Sequence, residues 1–194
     1  MVNNMGIQFE ELFGERINLI NLNSNYINDI HEYSIIPIFY KYLEYDCFKS
    51  IDETNIFFNK ISSRSNDIDC HYWMIYSKEK DKVVGTIGLH DIDWRKGSAE
   101  LTYGLSPNFW GKGFFSESLN LVVDWFFNLK NTNRLFLKTS SSNNGSINSV
   151  SNYGFKKEGV LREFYLDEKT NAKWDAIIFS FLKSDYLDSN AKKN

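Results

Sequence analysis

Between His71 and Ser106 the sequence reads as three strand-like runs in succession. "HYWMIYS", "DKVVGTIGLHDID" and "SAELTYGLS" are rich in β-branched and aromatic residues and are separated only by the turns at "KEKDK" and "RKG". Connections this short join antiparallel neighbours, because a parallel pair needs a crossover of a dozen residues or more. Pro107 ends the meander. The segment "FSESLNLVVDWFFNLK" then repeats apolar residues at Leu119, Val122, Val123, Phe126 and Phe127, the stripe of an amphipathic helix of about four turns. A meander that runs straight into such a helix commits the chain to a sheet with helices packed on it.

The flanking segments extend this pattern. "ERINLINLN" alternates at Ile17 and Leu19 before a slip at Ile20, as a first strand would. "NSNYINDIHEYS" has helical spacing behind a Ser24 or Asn25 cap. An aromatic stretch broken by Pro37 leads to "SIDETNIFFNKISSRS", where Ser50 and Glu53 form a capping box for a second helix. Past the central helix, "NRLFLKTS" reads as a strand, "NNGSINSVSNYG" as a short helix stopped by Gly154, and "FKKEGVLREFYLD" and "KWDAIIFSFLK" as two closing strands. The expected fold is α/β (α+β), with a mixed, mostly antiparallel central sheet flanked by helices. One domain is expected over 16–187, with an N-terminal extension over 1–15 and a frayed tail over 188–194.

Composition narrows the function classes. Hydrophobic residues at 42% and aromatics at 16% argue for an ordered core, and a formal charge of −3 gives no overall basic field for nucleic acid. Cys47 and Cys70 stand alone, without metal-ligand spacing, which fits thiols in a reducing compartment. The first residues lack the build of a signal peptide, and no apolar run reaches the length of a membrane span. The expectation is a cytoplasmic protein, monomer or homodimer, that engages neither nucleic acid nor membrane and has no metal site.

The sharpest local feature is "NFWGKGFFSES", where Gly111 and Gly113 flank Lys112 just before the striped helix. A glycine pair can be a tight turn, or it can let backbone amides at a helix start close on a phosphate. With the element order around it, the segment resembles the GNAT superfamily of acyl-CoA-dependent N-acyltransferases, and most closely its RimJ/RimL-like branch. The likeness runs from Arg16 to Tyr186. It is strongest in "VVGTIGLHDIDWRKGSAELTYGLSPNFWGKGFFSESL" and "NNGSINSVSNYGFKKEGVLREFYL".

That resemblance implies acetyl-CoA as cosubstrate. It implies a coenzyme-binding set of Leu105, Trp110, Gly111, Lys112, Gly113, Phe114, Phe115, Ser116 and Asn143. The family loop, Gln/Arg-x-x-Gly-x-Gly/Ala, falls on residues 110–115, and Phe115 departs from its last position. Lys112 either adds a point charge or sits in solvent. Asn143 either caps the short helix or holds the pantetheine arm, and Ser146 three residues on faces the thioester sulfur. The tyrosine that many relatives use as general acid would fall at Val150, so Ser146 takes that role here.

The implied reaction is transfer of an acetyl group to an amine acceptor, which could be a protein N-terminus, a small amine or an amino sugar. Deprotonating an α-amine at pH 7 costs about 1.4 kcal/mol and a lysine-type amine about 4.6 kcal/mol, so a base matters most for the latter. Alternation along "SAELTYGL" puts Glu100, Thr102 and Gly104 on one face and Ala99, Leu101 and Tyr103 on the other. Glu100 is therefore the candidate base, with His90 and Glu163 as alternatives and a structural ion pair as its competing role. An amide near Tyr103 to Leu105, where the family sheet splays, would hold the oxyanion. The aromatic run from Tyr33 to Phe48 either lines the acceptor side or fills core. No nucleophilic triad stands out, so direct attack is expected; a non-catalytic acyl-CoA sensor is the alternative.

Overall fold

The three central strands form the expected meander. In the computed structural model, which describes residues 9–65, 67–167 and 170–191, they are β3 (His71–Ser77), β4 (Lys82–Asp93) and β5 (Ser98–Leu105). They pair antiparallel, with Trp73 opposite Ile87 and Ile87 opposite Tyr103. Outside β3 lie β2 (Ile17–Asn21) and a two-residue β1 (Leu12–Phe13). Outside β5 lie β6 (Arg134–Ser140), β8 (Lys173–Leu182) and β7 (Lys156–Leu166). The sheet order is β1-β2-β3-β4-β5-β6-β8-β7, and among the described strands only β5 and β6 run parallel.

Strand alternation sends side chains to two helical layers. Trp73 and Ile75 of β3 join the core under α3 (Phe114–Asn128), while Met74 between them joins the core under α1 (Ile27–Ser34) and α2 (Ile51–Arg64). The predicted stripe of α3, Leu119, Val122, Val123, Phe126 and Phe127, is wholly buried. Each of these side chains contributes about 2 kcal/mol of apolar burial. The α2 cap forms as expected: Ser50 accepts from Glu53 N at 3.3 Å, and the Glu53 carboxylate accepts from Lys49 N at 2.8 Å.

Ordered structure also occurs where the sequence reading placed an extension and a frayed tail. β1 is too short to show a period, and its pairing to β2 is set by the turn in which Gly14 N donates to Ile17 O. At the other end α5 (Lys183–Ala191) is nearly all polar, yet it docks through Tyr186, stacked on Phe127 at 5.4 Å, and through Asp185, paired with Lys156. Residues 1–8 and 192–194 of those two segments lie outside the described residues.

The feature that positions the site is where β5 and β6 part. They share only three register pairs, ending at Glu100↔Phe136. Past that point β5 stays paired with β4 out to Leu105, and β6 with β8 out to Ser140. A fork opens between them.

A buried histidine links the N-terminal segment to this sheet. His71 stacks on Phe9 at 4.2 Å and meets Trp73 edge-on at 4.3 Å, and its Nε2 is buried without a hydrogen-bond partner. Burial pushes its pKa down to about 4. The unfolded chain, with a histidine near 6.5, therefore takes up the proton first as pH falls. Stability from the neutral ring is complete above about pH 6.5 and is lost progressively towards pH 4, by up to about 3 kcal/mol. His71→Phe, which keeps a flat ring against Phe9, should show a smaller loss of urea-unfolding free energy between pH 7 and pH 4.5 than the parent protein.

Candidate active site

The glycine loop is a left-handed turn clamped from outside. Gly111 has φ +69° and Gly113, the N-cap of α3, has φ +80°, a region that side-chain-bearing residues enter at a cost. A Cβ on Gly111 would meet nothing within 4 Å, whereas one on Gly113 would lie 2.9 Å from Arg16 Nη2. Arg16 donates to Lys112 O at 2.9 Å and from Nε to Glu117 Oε2 at 3.0 Å, while Glu117 Oε1 accepts the amides of Arg16 and Ile17. The first hydrogen bond of α3 runs from Glu117 N to Gly113 O. The amides of Phe114, Phe115 and Ser116 are thus left for an outside acceptor, at the positive end of the helix dipole. Lys112 turns back onto its own loop, donating to Asn108 O at 2.7 Å. Phe114 is buried core packed on Phe109, and Ser116 is exposed.

From this loop the fork runs towards Glu100. Ser106 N donates to Val84 O on the β4 side, and Gly97 O accepts from Arg134 N on the β6 side. Strand alternation therefore aims the amides of Tyr103 and Leu105 into the fork. Trp110 Nε1 donates to Leu105 O at 2.7 Å, fixing the loop to the strand end. The Tyr103 hydroxyl lies 2.6 Å from Ser146 Oγ, joining β5 to α4 (Asn144–Tyr153). Burial raises the Tyr103 pKa to about 12 against the opposing effect of the Ser146 hydrogen bond, so its proton stays on. The Phe115 ring, 4.1 Å from that of Tyr103, packs beside it. Asn143 caps α4, with its side chain accepting from Ser146 N at 3.1 Å.

At the apex sits a charged cluster. Glu100 is only 7% exposed, and its carboxylate pairs with Lys138 Nζ on β6 at 2.8 Å, the partner a desolvated charge requires. His90 Nε2 lies 4.0 Å from the other Glu100 oxygen, and His90 Nδ1 lies 2.9 Å from Asp91. His90, Asp91 and Glu100 bring donor atoms within 4.8 Å of one another, with the Lys138 ammonium already on the same carboxylate. These groups open onto a cavity of about 930 Å³ that also reaches Tyr103, Asn143, Ser146 and the aromatic residues Tyr33, Phe39, Tyr40, Tyr45, Phe48 and Phe57.

The matching family model is the acetyltransferase (GNAT) domain, over residues 16–156. The chain belongs to the GNAT acetyltransferase family. It is 33% identical over 178 residues to the uncharacterized N-acetyltransferase p20 of Bacillus licheniformis, covering 91% of this chain and 98% of that protein. A spermidine N(1)-acetyltransferase of Vibrio cholerae is 25% identical over 142 residues, covering 73% and 78%. The fold matches that of the microcin C7 self-immunity acetyltransferase MccE, solved with acetyl-CoA and AMP, at a TM-score of 0.78 and 21% identity over 87% and 93% of the two chains. The protein is thus an N-acetyltransferase of a family that uses acetyl-CoA.

Within this GNAT protein the expected residues fall into three places. Trp110 to Ser116 form the loop and helix start; Leu105 and Asn143 flank the fork; Glu100 and Ser146 face the cavity. Glu163 is not brought there. It sits at a bulge of β7 with φ +50°, exposed and 3.6 Å from Lys173, while its neighbours Phe164 and Tyr165 line the cavity. Sequence reading named a backbone amide near Tyr103 but missed its hydroxyl, and it missed Lys138, Arg16 and Glu117 beside these segments. For Tyr103 the signal was present, since alternation already turned it away from Glu100. Gly111→Ala should destabilise the protein by about 1 kcal/mol from its positive φ alone. Gly113→Ala should cost more, and the excess should largely vanish in an Arg16→Ala background; urea unfolding of the four proteins measures this coupling.

Proposed function

We propose that this GNAT protein transfers the acetyl group of acetyl-CoA to a primary amine by direct attack. We place it in the RimJ/RimL-like branch on its Trp110–Gly113 loop and Asn143-x-x-Ser146 helix start. We place it in the cytoplasm, which suits the unbridged Cys47 and Cys70; no described helix is long and apolar enough to cross a membrane. The observation that carries the reading is the fork. It sets an unpaired strand edge between the free amides of α3 and the Glu100–Ser146 cavity.

Acetyl-CoA supplies the activated acyl group and a thiolate leaving group. The amides of Phe114, Phe115 and Ser116 hold its pyrophosphate, and the fork amides of Tyr103 and Leu105 hold the pantetheine arm and the carbonyl oxygen. Glu100 accepts the proton that the acceptor nitrogen sheds as the C–N bond forms, directly or through water. As the C–S bond breaks, its electron pair goes to sulfur, and Ser146 donates a hydrogen bond there. Tyr103, protonated and donating to Ser146 Oγ, turns the serine proton outwards towards that sulfur. Tyr103 is thus a positioning residue acting through Ser146.

Ser146→Ala should lower kcat with little change in KM for acetyl-CoA. Tyr103→Phe should lower kcat by a similar or smaller factor, and the double variant should be no slower than Ser146→Ala alone. Multiplying defects would show that Tyr103 does not act through the serine. Glu100→Gln should lower kcat by about 10²- to 10⁴-fold at pH 7, with a deficit that shrinks as pH rises and more of the amine is already neutral. A variant that unfolds at lower temperature yet turns over normally would reduce Glu100 to the partner of Lys138.

A further inference from the structure

The charges around the acceptor cavity are unevenly used. Four carboxylates line it, and the protein occupies each of them. Glu100 pairs with Lys138, Glu44 accepts Leu166 N at 3.1 Å, Glu53 accepts Lys49 N at 2.8 Å, and Asp46 has a partner of its own. Lys49, Lys60 and Arg64 line the same cavity, are exposed, and form no ion pair with any described residue. Lys60 and Arg64 are four residues apart on α2, and Phe57 and Ile61 on the same helix face also reach the cavity. The two cations therefore project beside an aromatic wall.

That wall continues outward from the second apolar core, where Phe39 meets Tyr40 at 5.1 Å. Tyr40, Tyr45, Phe48 and Phe57 belong to neither buried cluster. Their rings meet in a run, with Tyr40–Phe48 at 5.6 Å, Phe48–Phe57 at 5.6 Å and Tyr45–Phe57 at 6.2 Å. Tyr45 stays 48% exposed beside the cavity, although a ring that served only as filling would be covered. Flat apolar surface of this kind takes the flat body of a ligand.

We propose that the acceptor is an amine carried on an apolar, preferably aromatic, body with an anionic group at its far end. The amine reaches Glu100, the body lies against the Tyr40–Phe57 wall, and the anion meets Lys60 and Arg64, with Lys49 alongside. A linear polyamine lacks the anion that Lys60 and Arg64 would take up, and its further ammonium groups would lie beside these cations. This inference rests on the acetyl-transfer reading above and specifies its acceptor.

The test uses matched amines with the full-length protein and acetyl-CoA. The carboxylate arm compares para-(aminomethyl)benzoate with benzylamine, the phosphate arm compares O-phosphotyramine with tyramine, and spermidine represents polyamines. In at least one arm the anionic member should exceed its neutral partner in kcat/KM by about tenfold, the sum of a few exposed charge contacts, and spermidine should be slowest. The arm with the larger ratio identifies carboxylate or phosphate. Raising the salt to about 1 M should shrink the advantage. Lys60→Glu/Arg64→Glu should bring the anionic-to-neutral ratio to one or below. Spermidine as the fastest acceptor, neutral and anionic members turned over equally, or a ratio unmoved by the charge reversal would overturn the proposal. So would failure to acetylate any of the five amines while acetyl-CoA still raises the melting temperature, an outcome that leaves coenzyme binding intact. Absence of that thermal shift would overturn the acetyl-transfer reading itself.

Discussion

The parting of β5 and β6 after Glu100 is the constraint on which the rest of the site depends. Each strand has a complete ladder on its outer edge, β5 with β4 and β6 with β8, so the sheet can divide without losing either half. The inner edges give up their mutual hydrogen bonds past the third register pair. Buried backbone groups rarely go unpaired, so the amides of Tyr103 and Leu105 need water or a ligand strand in the gap. The fork is thus an open strand edge, and on the proposed reading the amide-bearing pantetheine arm of acetyl-CoA pairs with it. Glu100 lies at its apex, and the bonded pair Tyr103 and Ser146 lies along its wall.

The second requirement is electrostatic. A helix start that is to bind a pyrophosphate should not present a carboxylate, yet Glu117 stands in the first turn of α3. The structure resolves this by turning Glu117 outwards to Arg16 and to two β2-side amides, where the guanidinium neutralises it. An exposed pair of this kind adds little stability by charge alone. Its value lies in geometry, because the same guanidinium holds Lys112 O and so fixes the loop between two left-handed glycines. The N-terminal hairpin thereby supports the loop proposed to hold the coenzyme, although β3, β4 and β5 separate it from β6 in the sheet.

What could be read in the sequence follows from how local each signal is. The α3 stripe, the Ser50 cap, the stop at Gly154 and the glycine loop are written within a few residues of one another, and each forms where expected. The loop proposed to hold the coenzyme was legible for the same reason. Contacts between distant segments were not. The Arg16–Glu117 clamp spans 101 positions and the Tyr103–Ser146 bond 43, and nothing near either residue announces its partner. Glu100 could be placed on the correct face by alternation, but Lys138 becomes visible only once β6 is known to lie beside β5. Glu163 fails for a related reason: a bulge in β7 turns it outwards and turns Phe164 and Tyr165 in.

This division separates the two substrates. In the proposed reading acetyl-CoA is gripped chiefly by backbone: helix amides, strand amides and glycines whose conformation is the recognition element. Such a grip tolerates many side-chain identities but demands a fixed pattern of glycines, so it leaves a motif. In the same reading the acceptor is met by the cavity's side chains from α1, α2, the loop after Pro37 and the end of β7, none of which shares a local pattern. Tyr45, Phe48 and Phe57 belong to neither core, so these side chains can change without disturbing the sheet. A family with one coenzyme and many acceptors is the expected result of that separation. On the proposed reading, the acceptor is therefore selected by side chains around the cavity rather than by the backbone of the loop.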